Sequence, residues 1–158
     1  MKPRRRGLTL VECLAASSIL AFAVLAVVQA VVAGQMQSVD ALHRARGLQL
    51  AEAMMDEVLR LPYNDPNGGT ESGRANFDNL ADYNGLTEAA GALADSAGVV
   101  YASPFQGFTR SVSVVSANGG AGIAVTGLGA ALPGLTITVT VQDSAGVTWT
   151  LTAFRAQP

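Results

Sequence analysis

The chain has 158 residues, a hydrophobic fraction of 49%, a charged fraction of 14% and a net charge of −2. This length allows one modest domain plus an apolar arm, and the low charged fraction is unlike an ordinary globular surface. A single cysteine, Cys13, excludes an intrachain disulfide and a cysteine-built metal site, and an acidic body beyond Glu52 argues against direct contact with nucleic acid.

Residues 1–7 form a short basic leader in which Lys2, Arg4, Arg5 and Arg6 precede everything apolar. After Glu12 the next charged residue is Asp40, so Cys13 to Val39 is uncharged and contains no Gly or Pro before Gly34. That run exceeds the ~18 apolar residues that read as a membrane-spanning helix. It is also about twice the apolar core of a cleaved secretory signal, so the segment is expected to be retained in the membrane. Membrane lipid is therefore a predicted partner. The basic leader places the N-terminus in the cytoplasm and exports the rest. A lipoprotein signal at Cys13 is disfavoured because Glu12 stands where a small residue is required. Cys13 reads instead as a small apolar residue.

Residues 8–61 read as one helix, with about 13–39 transmembrane and the remainder amphipathic. At 1.5 Å per residue the helix spans roughly 80 Å, of which about 30 Å crosses a bilayer core. Small residues such as Ala15, Ala16, Ser17 and Ser18 in the first half suit close helix packing. In the second half Ala41, Ala45, Leu48, Ala51, Met55 and Val58 are expected to form the apolar stripe that buries against the C-terminal domain. Pro62 ends the helix. Gly34 and Gly47 read as weak points inside it.

Residues 62–100 are a variable loop region rich in turn chemistry, including Asn64-Asp65-Pro66-Asn67-Gly68-Gly69, with Phe77, Leu80 and Tyr83 as anchors. A short helical turn fits Thr87 to Ala94. Loops of this length are usually functional or poorly ordered. Asp65, Asn67, Glu71, Asp78 and Asp82 offer oxygen ligands for Ca²⁺. They lack the 12-residue EF-hand frame and its terminal Glu, so turn and capping duty is the preferred reading, with no metal or other cofactor expected.

Residues 101–158 switch to a period of two. Phe108, Arg110, Val112 and Val114 alternate with Thr109, Ser111 and Ser113, and Leu135 to Val141 and Val147 to Thr152 alternate likewise. The last two runs, joined through Gln142 to Gly146, read as a hairpin with a threonine face. Asn118-Gly119-Gly120-Ala121-Gly122 reads as a turn or linker, and Trp149 as sheet core. No internal repeat is read. The expected fold class is α+β, a long N-terminal helix packed on a small C-terminal antiparallel β-sheet. His43 reads as a solvated helix residue. No paired general acid and base stands in a recognisable frame, so no catalytic residue is assigned and the chain does not read as an enzyme.

A carboxylate at the mouth of a membrane helix is costly, which makes Glu12 a functional candidate. Gly7-Leu8-Thr9-Leu10-Val11-Glu12, with the basic leader before it and the apolar run after it, resembles the signal of type IV prepilins and type II secretion pseudopilins. The family usually has Phe after the Gly, and this chain has Leu8. Ala51 to Glu57, Leu59 to Tyr63 and the Phe77 to Gly85 loop also look like the minor, pilus-modifying members. The resemblance implies a pilin-like fold and a bacterial inner-membrane subunit with its C-terminal domain in the periplasm. It implies that a prepilin peptidase and N-methyltransferase cuts after Gly7 and methylates the amine of Leu8. The remaining partners it implies are other pilin or pseudopilin subunits, met through the N-terminal helix, and the inner-membrane assembly platform. Glu12 is then the assembly residue, neutralising the N-terminal amine of a neighbouring subunit; a desolvated amine and carboxylate each carry a cost that pairing offsets. Leu8 and Glu12 stand i,i+4, so a pair within one helix stays open. The alternatives to a filament subunit are a permanently membrane-anchored exported binding module and a DNA-uptake pilus subunit.

Overall fold

A computed structural model describes residues 9–69, 71–116, 123–124 and 131–158. The leader with Gly7 and Leu8, and the turn expected at residues 118–122, lie outside the described residues. The fold is α+β, with one long N-terminal helix and a four-stranded antiparallel sheet. Two compact units divide the chain at residues 43 and 44.

Helix α1 runs from Leu10 to Leu59, 50 residues and roughly 75 Å at the standard rise. In the first unit its apolar side chains point outward on every side: Leu14, Ile19, Phe22, Val27 and Val31 are all exposed. Ser17 and Ser18 turn their hydroxyls back onto the Leu14 carbonyl at 3.0 and 2.7 Å, so these polar groups are satisfied inside the helix.

The second unit opens with the remainder of α1. Here Gly47, Leu50, Ala51, Met54, Met55 and Val58 are buried, a run of three- and four-residue steps down one side. This corrects the expected stripe at one end. Ala41, Ala45 and Leu48 are exposed, and Gly47, Leu50 and Met54 take their place. The physical reason is Trp149. A Cβ on residue 47 would meet the Trp149 ring at 2.6 Å, so the indole lies flat against a glycine and sets which side of the helix faces the sheet. Gly47 is thus the seat of the only tryptophan rather than a mere weak point.

Strand β1 is Thr87–Glu88, β2 is Phe108–Ser116, β3 is Ile123–Ala124, β4 is Ala131–Leu132, β5 is Gly134–Asp143 and β6 is Thr148–Ala156. The main sheet has the order β1-β2-β5-β6, antiparallel throughout, and β3 pairs with β4 separately. The alternation read from the sequence sets the two faces. Phe108, Arg110, Val112, Val114, Ile137, Val139 and Val141 are buried against the helix, and the serines and threonines between them face away. Each fully buried Ile, Val or Leu contributes about 1.5–3 kcal/mol.

Residues 62–100 pack onto this core. Leu80 and Tyr83 are buried, and Phe77 meets Tyr83 edge-on at 5.0 Å. The helical turn expected over Thr87 to Ala94 is absent: Thr87 and Glu88 pair with Ser111 and Arg110, and Gly91 turns the chain at φ 85.

A five-residue repeat is present after all. Asp95-Ser96-Ala97-Gly98-Val99 and Asp143-Ser144-Ala145-Gly146-Val147 are identical in sequence. In both, the Asp amide donates to the Val carbonyl at 3.0 Å, and the Gly amide donates to the Asp carbonyl at 3.0 and 3.1 Å. In both, the Asp Oδ1 accepts from the Ala and Val amides, at 2.8–2.9 Å. The Gly takes φ 79 in one and 84 in the other. This is a tight turn followed by a left-handed glycine, with the Asp side chain satisfying amides that the turn leaves over.

Candidate assembly site

At the helix mouth, the Thr9 amide and hydroxyl both donate to Glu12 Oε2, at 2.8 and 3.0 Å. The Glu12 amide donates back to Thr9 Oγ1 at 3.3 Å. This is a capping box, in which an N-terminal Thr and a Glu three residues on satisfy each other's orphan amides. Thr9-x-x-Glu12 before an apolar run is its sequence signature, and the reading of Glu12 from the sequence overlooked it. Glu12 is exposed, so its carboxylate is held by its own helix end while remaining reachable from outside. Gly7 and Leu8, the other residues of the motif, are outside the described residues.

The loop carboxylates converge in part. One oxygen each from Asp65, Glu71 and Asp78 lies within 4.8 Å of the others. Asn67 donates its side-chain amide to Asp78. Asp65 Oδ1 accepts from the amides of Asn67, at 2.7 Å, and Gly68, which holds its carboxyl below the ordinary range. Asp82 is turned to its own loop, accepting from the amides of Asp78 and Asn79 at 3.1 and 3.2 Å. Burial and the adjacent Asp82 and Asp78 carboxylates push the Glu71 carboxyl up. Asp65, Glu71 and Asp78 are the residues that would hold a divalent cation, while Asp65 and Asp82 already perform the turn and capping duty read from the sequence.

A third cluster has no counterpart in the sequence reading. Glu57 on α1, Arg74, Glu88 on β1 and Arg110 on β2 form an alternating chain of charges that sums to zero. Arg74 donates to both Glu57 oxygens, to Glu88 at 2.8 Å and to the Ala94 carbonyl at 2.9 Å. Arg110, 2% exposed, donates to Glu88, to the Ala94 carbonyl at 2.8 Å and to the Leu50 carbonyl on α1 at 3.3 Å. The Tyr101 ring lies 5.7 Å from its guanidinium carbon. Tyr83 donates its hydroxyl to Glu57 at 2.7 Å. Burial works against the charge of Glu57, but the bonds from Arg74 and Tyr83 outweigh it and hold its pKa below the ordinary value. Burial and the same bond push the Tyr83 hydroxyl up. The cluster ties helix, loop and two strands together.

No family model matches the chain, and neither a curated protein nor a solved structure does.

Proposed function

We propose that this chain is a minor pilin or pseudopilin, an assembly subunit of a bacterial envelope filament cut after Gly7 by a prepilin peptidase. One observation carries the reading. A single helix joins a lipid-compatible half, with an 18-residue window of mean hydropathy 2.3 and none of it buried, to a half packed on an antiparallel sheet. Such a helix needs lipid around it or other helices against it. The capping box adds support, because it leaves an exposed carboxylate at the first turn of that helix. Removal of residues 1–7 would create a new amine on Leu8, four residues before Glu12 in the sequence.

The reading predicts that Glu12→Ala leaves membrane insertion intact and lowers incorporation into filaments. Glu12→Gln separates the two roles of this side chain. It retains the capping bonds and loses the charge, so it should resemble Glu12→Ala in assembly and wild type in helix stability. Filament preparations sheared from cells and probed for the subunit make the measurement. Absence of the wild-type chain from the filament fraction, with Glu12→Ala silent in the cell, would favour a permanently anchored binding module instead.

A further inference from the structure

We propose that β6 is a docking edge for the β6 strand of a second copy of this chain, the two strands pairing antiparallel about a two-fold axis at Thr152. The proposal does not depend on the filament reading.

The two edges of the main sheet differ. On the β2 side, the outward groups are already engaged: Gly85 donates to the Val112 carbonyl, Val112 to the Leu86 carbonyl, and the Val114 amide to the Asn84 side chain. On the other side, β6 offers nine residues. The Asp143 amide bonds the Val147 carbonyl across the hairpin turn, and alternation from there turns the backbone of Trp149, Leu151, Ala153 and Arg155 toward β5. The backbone groups of Thr148, Thr150, Thr152 and Phe154 therefore point away from the sheet, and none has a backbone partner among the described residues. An open ladder of this kind is directional, and what satisfies it is another extended strand.

Edges that must stay single usually carry proline, a bulge or several charges. β6 has no proline and no glycine, pairs without interruption from Thr148 to Ala156, and carries one charge, Arg155. Its helix-side row is also incompletely covered. Trp149, Leu151 and Ala153 are half-buried, whereas Ile137, Val139 and Val141 on neighbouring β5 are fully buried. An incoming strand with apolar residues on that side would complete the layer.

The strand fits itself. Pairing about Thr152 sets Thr150 against Phe154 and Leu151 against Ala153, and brings each Arg155 opposite the Trp149 of the other copy. The two Arg155 residues then lie six positions apart along the ladder, about 20 Å, beyond the ~8 Å Debye length at physiological salt. Registers centred nearer Arg155 bring the like charges together. A paired strand also extends one uncharged Ser and Thr face across both copies.

The test uses the full-length chain in lipid bilayers, with Cys13→Ser removing the native thiol and Thr152→Cys placed on the axis. Cα atoms facing each other in such a pair lie within disulfide range. Mild oxidation should convert most of the protein to a species of twice the chain mass. Thr138→Cys, on the same face but one strand in, should stay single. Adding Thr150→Pro, which removes an outward amide and spares the β5 pairing, should sharply reduce the Thr152→Cys dimer. Three results would overturn the proposal: a Thr152→Cys chain that stays monomeric while its tryptophan emission is native, equal bonding from Thr138→Cys, or bonding only to a different protein.

Discussion

Arg110 occupies a position where a strand of alternating pattern asks for an apolar side chain, and it is almost fully buried there. Its charge is tolerated because Glu88 and the carbonyls of Leu50 and Ala94 accept its hydrogen bonds. Without Arg110 the network carries one negative charge in excess, shared between Glu57 and Glu88 with Arg74 as the only remaining cation of the cluster. Arg110→Met should therefore lower the unfolding free energy by about 3–5 kcal/mol, read from urea denaturation of the full chain in micelles. Glu57 makes the network sensitive to acid. Its folded pKa lies below the unfolded value, so its stabilisation is present above the unfolded pKa of about 4.3 and is lost as pH falls through the folded value. Wild-type stability should fall on acidification below that point, and Glu57→Gln should show a flatter pH profile from a lower starting stability. The alternation placed Arg110 on the core face from the sequence alone. Its partners were not legible, because Leu50 and Glu88 are remote in sequence and only the folded topology brings them together. Gly47 was misjudged for a similar reason: propensity counts a helical glycine as a cost, and the value of a missing Cβ depends on the Trp149 ring a hundred residues later.

The elements differ in how much of their cause is local. The hairpin of β5 and β6 was readable from alternating runs around Asp143 to Gly146, and the capping box at Thr9 and Glu12 is written in four consecutive residues. The repeated Asp-Ser-Ala-Gly-Val turn is equally local, and its two copies form the same bonds in different surroundings. That difference yields a prediction. Asp143 joins two long strands of the main sheet, while Asp95 closes a loop whose neighbours Leu93 and Ala94 are held independently of it, by the Tyr101 amide and by Arg74 and Arg110. Asp143→Ala should cost about 1–3 kcal/mol of global stability, as two amide bonds are lost. Asp95→Ala should leave the global value nearly unchanged and speed amide exchange only around residues 94–100. The buried stripe of α1 was legible at Ala51, Met55 and Val58 but not at its upstream end, where small and apolar residues occur on several sides and the sheet makes the choice.

At the scale of the molecule, the apolar run and the alternating strands together specified the helix and the sheet, each through a period visible in the sequence. The loop region between them was the least legible part. Its order comes from Leu80 and Tyr83 entering the core, as the sequence suggests for these anchors, and from Arg74 reaching Glu57 and Glu88, ion pairs that no local pattern announces. The exposed apolar half of α1 is long and apolar enough to cross a membrane, and in the proposed reading it meets first lipid and then the helices of neighbouring subunits. That reading rests on the chain being cut between Gly7 and Leu8. Intact mass and N-terminal sequencing of the protein from cells with and without the prepilin peptidase test it most directly. The account predicts a methylated Leu8 terminus when the peptidase is present and the uncut leader when it is absent; an N-terminus that is the same in both would contradict it.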